Sequence, residues 1–290
     1  MSLPVRVAAH AKINLFLRIL AREADGYHNI ETLFCLISLA DELVVEAAAP
    51  GVLEIDTAGP DVGPAEKNLA VRAARMVLEA TGNRIGARIG LTKRIPIQSG
   101  LGGGSSDAAA ALTAVNQLAG NAIPHHELVQ FGARLGSDVP FFLSHSALAL
   151  AWGHGERLMR LAPLPEAPAL LLVPAMGVST VEAYRWIAAS RRPGDRRGAV
   201  AMDADALNSW GSIGRMAGND FESVVFGQLP ALRTAFEALA STHPLVCRMT
   251  GSGSSLFAVY RNAGDREDAR MRLGRKHGTS IPVETLATSP

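Results

Sequence analysis

Four glycines fall within five residues in the stretch "RIPIQSGLGGGSSDAAAAL", Arg94 to Leu112, where an alternating apolar segment gives way to an alanine run. Glycine loses more conformational freedom on folding than any other residue. Gly100, Gly102, Gly103 and Gly104 therefore imply that some group approaches the backbone closely there. Ala108 to Ala111, followed by Leu112, Val115 and Leu118, reads as a helix burying a narrow apolar stripe. Ser105 or Ser106 is the expected N-cap, and Asp107 stands where a helix start favours negative charge. A glycine loop feeding a helix start presents unpaired N–H groups and the positive end of the helix dipole, which suits an anion such as phosphate. The simpler alternative is a tight strand-to-helix turn without a ligand; the number of glycines and the two adjacent hydroxyls weigh against it. Neither of the two commonest phosphate loops fits. No lysine follows the glycines as a P-loop requires, and the last glycine of G-x-G-x-x-G falls on Ser105.

A chain of 290 residues, 48% hydrophobic, is long enough for one large or two moderate domains. With 28 basic against 27 acidic side chains it carries no general field for nucleic acid or a membrane surface, so neither is expected as a partner. The locally basic "RRPGDRRG" at 191–198 reads as a solvated loop because Pro and Gly interrupt it. Cys35 and Cys247, far apart within apolar surroundings, read as reduced core residues. Charges at Arg6, His10, Lys12 and Arg18 break up the N-terminal segment as a signal peptide, and Pro174 interrupts the most apolar run. A cytoplasmic protein is expected.

Residues 5–20 alternate as a strand with Ile13, Leu15, Leu17 and Ile19 on one face. "DGYH" at 25–28 signals a turn, and further strands are expected from Leu43 and from Val52, the latter after Pro50-Gly51. "NLAVRAARMVLEATG" has helical spacing and stops at Gly82; "RIGARIGLTKRI" then alternates into the glycine loop, and "HHELVQFGARLG" is a second helix. Beyond about residue 152 the pattern restarts with a buried strand "ALLLVPA" and helices "STVEAYRWIAAS" and "LPALRTAFEALA". Two strands follow around "TGSGSS", a weaker candidate anion nest, and then the helix "GDREDARMRLGRK". This is an α+β chain whose two domains, 1–152 and 153–290, meet at a cleft.

Lys12 lies within the apolar alternation "AKINLFL", on the same face as Asn14. A lysine facing inward needs a partner; on the outer face it needs none. Asp138, hemmed by Val139, Pro140, Phe141 and Phe142, needs a cation or donors, and Lys12 is the candidate counter-ion. Two roles stay open for Asp138: a general base or orienting carboxylate, or a loop carboxylate capping the preceding turn.

In order along nearly the whole chain, "AKINLFLRIL", "DGYHNIETLF", "IPIQSGLGGGSSDAAAAL", "LGSDVPFF", "GVSTVEAYR", "GNDFE" and "MTGSGSSLF" resemble the motifs of the GHMP family of small-molecule kinases. Ser137 stands where Ala is commoner in that pattern, and "AMGVS" where Pro-Gly usually precedes Val-Ser. The resemblance implies a two-domain GHMP kinase fold, with an N-terminal domain like the second domain of ribosomal protein S5 and a ferredoxin-like C-terminal domain. It implies ATP with its phosphates on Pro96, Ile97, Gln98, Ser99, Gly100, Leu101, Gly102, Gly103, Gly104, Ser105 and Ser106, and Asn68 and Lys93 near the adenine. Lys12 and Asp138 become the catalytic pair, while Asn14, Tyr27, His28, Thr180 and Tyr184 face a cytidine diphosphate-linked methylerythritol. The implied reaction moves the γ-phosphoryl of ATP to the 2-hydroxyl of that substrate. Mg²⁺ is expected with the ATP, though no carboxylate cluster in the sequence marks its ligands. A monomer or homodimer is expected.

Overall fold

The computed structural model describes residues 3–22, 28–190 and 205–289. Tyr27, most of the expected turn at 25–28 and the basic stretch at 191–198 lie outside the described residues, as does the side chain of His28.

The first half is built on a six-stranded sheet of β1 (Val5–Arg22), β2 (His28–Ala48), β3 (Leu53–Ala58), β4 (Gly86–Thr92), β5 (Leu148–Gly153) and β6 (Arg157–Arg160). Its order is β3-β4-β2-β5-β6, with β1 also paired to β2, and only β3 and β4 run parallel. The strand expected from Leu43 is not separate: it is the second half of β2. No Gly or Pro interrupts the chain between His28 and Ala48, so nothing ends the strand. Residues 30–35 of β2 pair with β5 and residues 42–48 with β4, while β1 runs beside both parts. β1 is buried on both faces from Ala11 to Leu17, and its register slips between His10 and Lys12 and again between Asn14 and Phe16. Such irregularities re-aim side chains, and here they flank Lys12 and Asn14.

Four helices cover this sheet: α1 (Leu69–Ala80), α2 (Gly103–Leu118), α3 (His125–Leu135) and α4 (Val139–Leu143). The alanines of α2 and α1 let both helices approach β2 and β4 closely in one core cluster with Leu43, Val45, Ile89 and Leu91. α1 begins after Asn68, whose Oδ1 accepts from the Ala70 N–H at 2.9 Å.

The second half contains β7 (Pro168–Val173), α5 (Thr180–Ser190), α6 (Trp210–Met216), α7 (Asp220–Gln228), α8 (Pro230–Ala240), β8 (Val246–Met249), β9 (Leu256–Val259), α9 (Ala263–Leu273) and β10 (Thr279–Glu284). Its sheet has the order β10-β7-β9-β8, antiparallel throughout. With helices after its first and third strands, this is the ferredoxin-like split βαβ arrangement. β6 continues the first sheet to Arg160, so that sheet runs on past residue 152. Both cysteines are free, and burial pushes the thiol of Cys35 up to about 12, in keeping with an inert core residue. Among the described residues no helix is long and apolar enough to cross a membrane.

Candidate active site

The glycine loop meets the second glycine loop, and the two interlock. A Cβ on Gly100 would stand 2.1 Å from the carbonyl oxygen of Thr250, and Gly100 has φ +77°. The Thr250 Oγ1 lies 3.1 Å from both the Gly100 carbonyl and Asn14 Oδ1, and the Ser255 N–H donates to the Ser99 carbonyl at 3.3 Å. Thus one group brought close to the first loop is the backbone of the second domain.

The α2 start differs from the sequence reading. The N-cap is Gly102, left-handed at φ +74°, and it supplies no side-chain cap. Ser105 and Ser106, expected as caps, lie inside the first turns, and Asp107 is turned into the protein. The left-handed bend lets the helix begin three or four residues earlier than expected, because only glycine adopts it without strain. No side chain therefore competes for the first-turn N–H groups of α2, and the helix start is available to an anion.

Lys12 sits beside this start. Its backbone N–H donates to the Leu101 carbonyl at 3.0 Å, and its side-chain stem passes 3.1 Å from the place a Cβ on Gly102 would take. The residue is 3% exposed. Its ammonium donates to Asn14 Oδ1 at 2.7 Å, lies 3.4 Å from Asp138 Oδ2, and stands 5.2 Å from the ring centre of Phe34. Asp138 is at the start of α4 but makes no capping bond; its side chain remains 26% exposed and open to a ligand. The pair anticipated from charge balance is brought together across 126 residues of chain.

Asn14 is buried and fully engaged. Its Oδ1 also accepts from the Gly251 N–H at 2.9 Å, and its Nδ2 donates to Thr32 Oγ1 at 2.8 Å. Its contact with the open site therefore runs through Lys12. Thr180 is the first residue of α5, and its hydroxyl shares a hydrogen bond with that of Ser252 at 2.9 Å. Both line a cleft of about 250 Å³ with Gln98, Gly100 and Ser179. Tyr184, one turn on, packs edge-on against Phe221 with ring centres 5.0 Å apart. Burial, assisted by the nearby Asp138 charge, pushes its hydroxyl up to about 12, so it stays neutral.

Lys93, expected near the adenine, has its ammonium engaged within the protein. Its ammonium is buried beneath the loop between the carboxylates of Asp41 and Asp107. Asn68 uses its side-chain oxygen as the α1 cap, at the neighbouring helix start. Asp41, Thr250, Thr32 and Asn219 carry weight that the sequence reading did not assign. Asn219 Nδ2 donates to the carbonyls of Met249 and Gly251 at 2.7 and 2.8 Å, fixing the second loop. The signal available for Asp41 was the buried need of Lys93 for a carboxylate; Thr250 and Asn219 belong to quoted motifs but act across distances that sequence order does not reveal.

Residues 68–146 match the family described as GHMP kinases N terminal domain, and residues 201–279 match GHMP kinases C terminal. A 4-diphosphocytidyl-2-C-methyl-D-erythritol kinase from Pelotomaculum thermopropionicum is 37% identical over 284 residues, covering 98% of each chain. Another of that name from Symbiobacterium thermophilum is 40% identical over 274 residues, covering 92% of this chain and 95% of that protein. Among solved structures, a 4-(cytidine 5'-diphospho)-2C-methyl-D-erythritol kinase superposes with a TM-score of 0.81 at 36% identity, over 97% of this chain and 99% of that one.

Proposed function

This chain belongs to the GHMP kinase family, and on that premise we propose that it transfers the γ-phosphoryl of ATP to the 2-hydroxyl of 4-diphosphocytidyl-2-C-methyl-D-erythritol, in isoprenoid precursor biosynthesis. The observation that carries the proposal is the Lys12–Asp138 pair at 3.4 Å beside the uncapped start of α2. An alcohol is scarcely ionised at neutral pH, so its proton must be accepted as the new P–O bond forms. Asp138, partly open, orients the hydroxyl and takes that proton. The O–Pγ bond forms, the bond from Pγ to the bridging oxygen breaks, and ADP leaves with its charge facing the α2 N–H groups. Lys12, paired with Asp138 at 3.4 Å, offsets charge growing on the transferring group. Asn14 aims Lys12, and Thr180 and Tyr184 close the substrate side from the second domain; Tyr27 and His28 are read as further substrate contacts from the resemblance.

Mg²⁺ fits this arrangement as the companion of ATP, neutralising the phosphates. It binds kinases largely through substrate phosphates and one or two protein oxygens. Among the described residues no group of three His, Cys, Asp or Glu side chains is arranged to hold a metal, a demand that such a site does not make.

A coupled ADP-release assay across alcohol acceptors tests the proposal. The cytidine diphosphate substrate should support turnover, and mevalonate, homoserine and simple sugars should not. Turnover of one of those three, with none on the cytidine substrate, would overturn it.

A further inference from the structure

Beneath the glycine loop lies a buried ionic cluster that takes no part in the phosphoryl transfer just described. Lys93, at the end of β4, places its ammonium between Asp41 of β2 and Asp107 of α2; the Lys93–Asp107 separation is 2.7 Å. All three residues are at least nine-tenths buried. The second oxygen of Asp41 accepts from the backbone N–H groups of Arg94 and Ile95, at 2.5 and 2.8 Å. Those are the first residues of the glycine segment. Asp107 lies in the second turn of α2, where that segment ends. The Lys93 ammonium itself stands 3.3 Å from the position of a Cβ on Gly103. One unbroken chain of bonds therefore runs from the loop's entrance through β2 and β4 to the helix it feeds.

A buried set of two acids and one base is a poor way to gain stability, because desolvation of each ion offsets the attraction, and apolar residues of similar volume often do as well. The second oxygen of Asp107 has no hydrogen-bond partner among the described residues, which adds to the cost. What such a cluster supplies is fixed direction: each bond is charge-assisted and geometrically demanding. Sites that grip a triphosphate need that, since a displacement of about 1 Å can cost 100-fold in rate or binding.

We propose that Asp41, Lys93 and Asp107 form a positioning clamp that holds the two ends of the glycine loop at the separation ATP requires. The proposal rests on the reading that this loop binds ATP. None of the three side chains touches the nucleotide; they act through the backbone of Arg94 and Ile95 and through the first turns of α2. The clamp sets affinity for the nucleotide and leaves the acceptor alcohol's site, on the Lys12 side, untouched.

The test is steady-state kinetics of the whole protein with Asp107→Ala and Asp107→Asn. The alanine variant cuts the arm to α2. Its KM for ATP should rise about tenfold, the worth of one charge-assisted hydrogen bond, while KM for the alcohol and kcat at saturating ATP change less than threefold. Asparagine keeps an oxygen for Lys93 and should recover most of the loss. If Asp107→Ala does not fold, Lys93→Arg, which retains the charge in an altered geometry, should show the same selective rise. An unchanged KM for ATP beside a lowered melting temperature would make the cluster merely structural and overturn the proposal. So would equal effects on both KM values, or an asparagine variant no better than alanine. The underlying reading fails separately: it falls if the wild type's melting temperature does not rise with ATP.

Discussion

Replacing Lys12 by Met should separate catalysis from stability. At 3.4 Å and an effective dielectric constant of about 20, the attraction between the Lys12 ammonium and the Asp138 carboxylate is about 5 kcal/mol. Burying the ammonium costs several kcal/mol in lost hydration, which offsets much of that gain. Asp138 keeps a quarter of its side-chain surface in solvent and stays hydrated once Lys12 is gone, while Met retains the apolar stem that passes Gly102 and Phe34. The released partner, Asn14 Oδ1, still accepts from the Gly251 N–H. The net loss of stability should therefore be no more than about 1–2 kcal/mol. Turnover should fall roughly 10²–10⁴-fold, the range for a group that supports proton transfer and offsets transition-state charge. Asp138→Asn should fall similarly, and the double variant little further, because the two residues act as one unit. Urea melts supply the first quantity and coupled ADP release the second. A Lys12→Met protein with turnover within about threefold of wild type, or single losses that multiply in the double variant, would refute the assignment.

Gly100→Ala should destabilise by more than about 2 kcal/mol, since it adds left-handed strain to a Cβ placed 2.1 Å from the Thr250 carbonyl. Gly104→Ala, whose nearest neighbour is Leu69 Cδ1 at 3.7 Å, should be neutral or gain up to about 1 kcal/mol; melting curves that rank the two the other way would sink this account of the loop. A pH effect follows from Asp107, whose carboxyl is pushed up to about 7 by burial and by Asp41, against the opposing pull of Lys93. An unfolded aspartate titrates near about 4, so the folded state alone holds this proton between those values. The stability it contributes is full below about pH 4 and is lost as the pH rises to 7 and beyond. The difference in unfolding free energy between wild type and Asp107→Asn should slope over that window, and a flat difference would contradict the raised value.

The local features of the fold were legible because they rest on local physics. The helices α1, α3, α5, α8 and α9 follow from 3.6-residue spacing and nearby stop signals, and β1 from alternation. The unbroken length of β2 was less legible, since two separate partners, β5 and β4, share it and neither is adjacent in sequence. The α2 cap failed for a related reason. Ser105 and Ser106 satisfy the usual preference, but Gly102 is held in the left-handed region between Lys12 and Phe142, so the helix starts before the serines are reached. For the ion pair of Lys12 and Asp138, charge balance named both partners. The work of Asn14, Thr250 and Asn219 depends on two domains meeting, and no periodicity carries that.

The four glycines show how far a correct local inference can travel. Their presence implied a close approach to the backbone, yet the approaching groups are largely parts of this protein. Gly100 admits the Thr250 carbonyl, Gly102 the Lys12 stem and the Phe142 ring, and Gly103 the side chain of Ile95. A valine at Gly103 would thus press first on Ile95 and the Lys93 ammonium, not on a phosphate, and the clamp would move with it. The anion argument then rests on α2 itself, whose first-turn N–H groups meet no capping side chain. The loop's glycines hold that start against the second domain and beside Lys12, so Lys12, the uncapped start of α2 and the cleft lined by Thr180 and Ser252 keep fixed positions relative to one another.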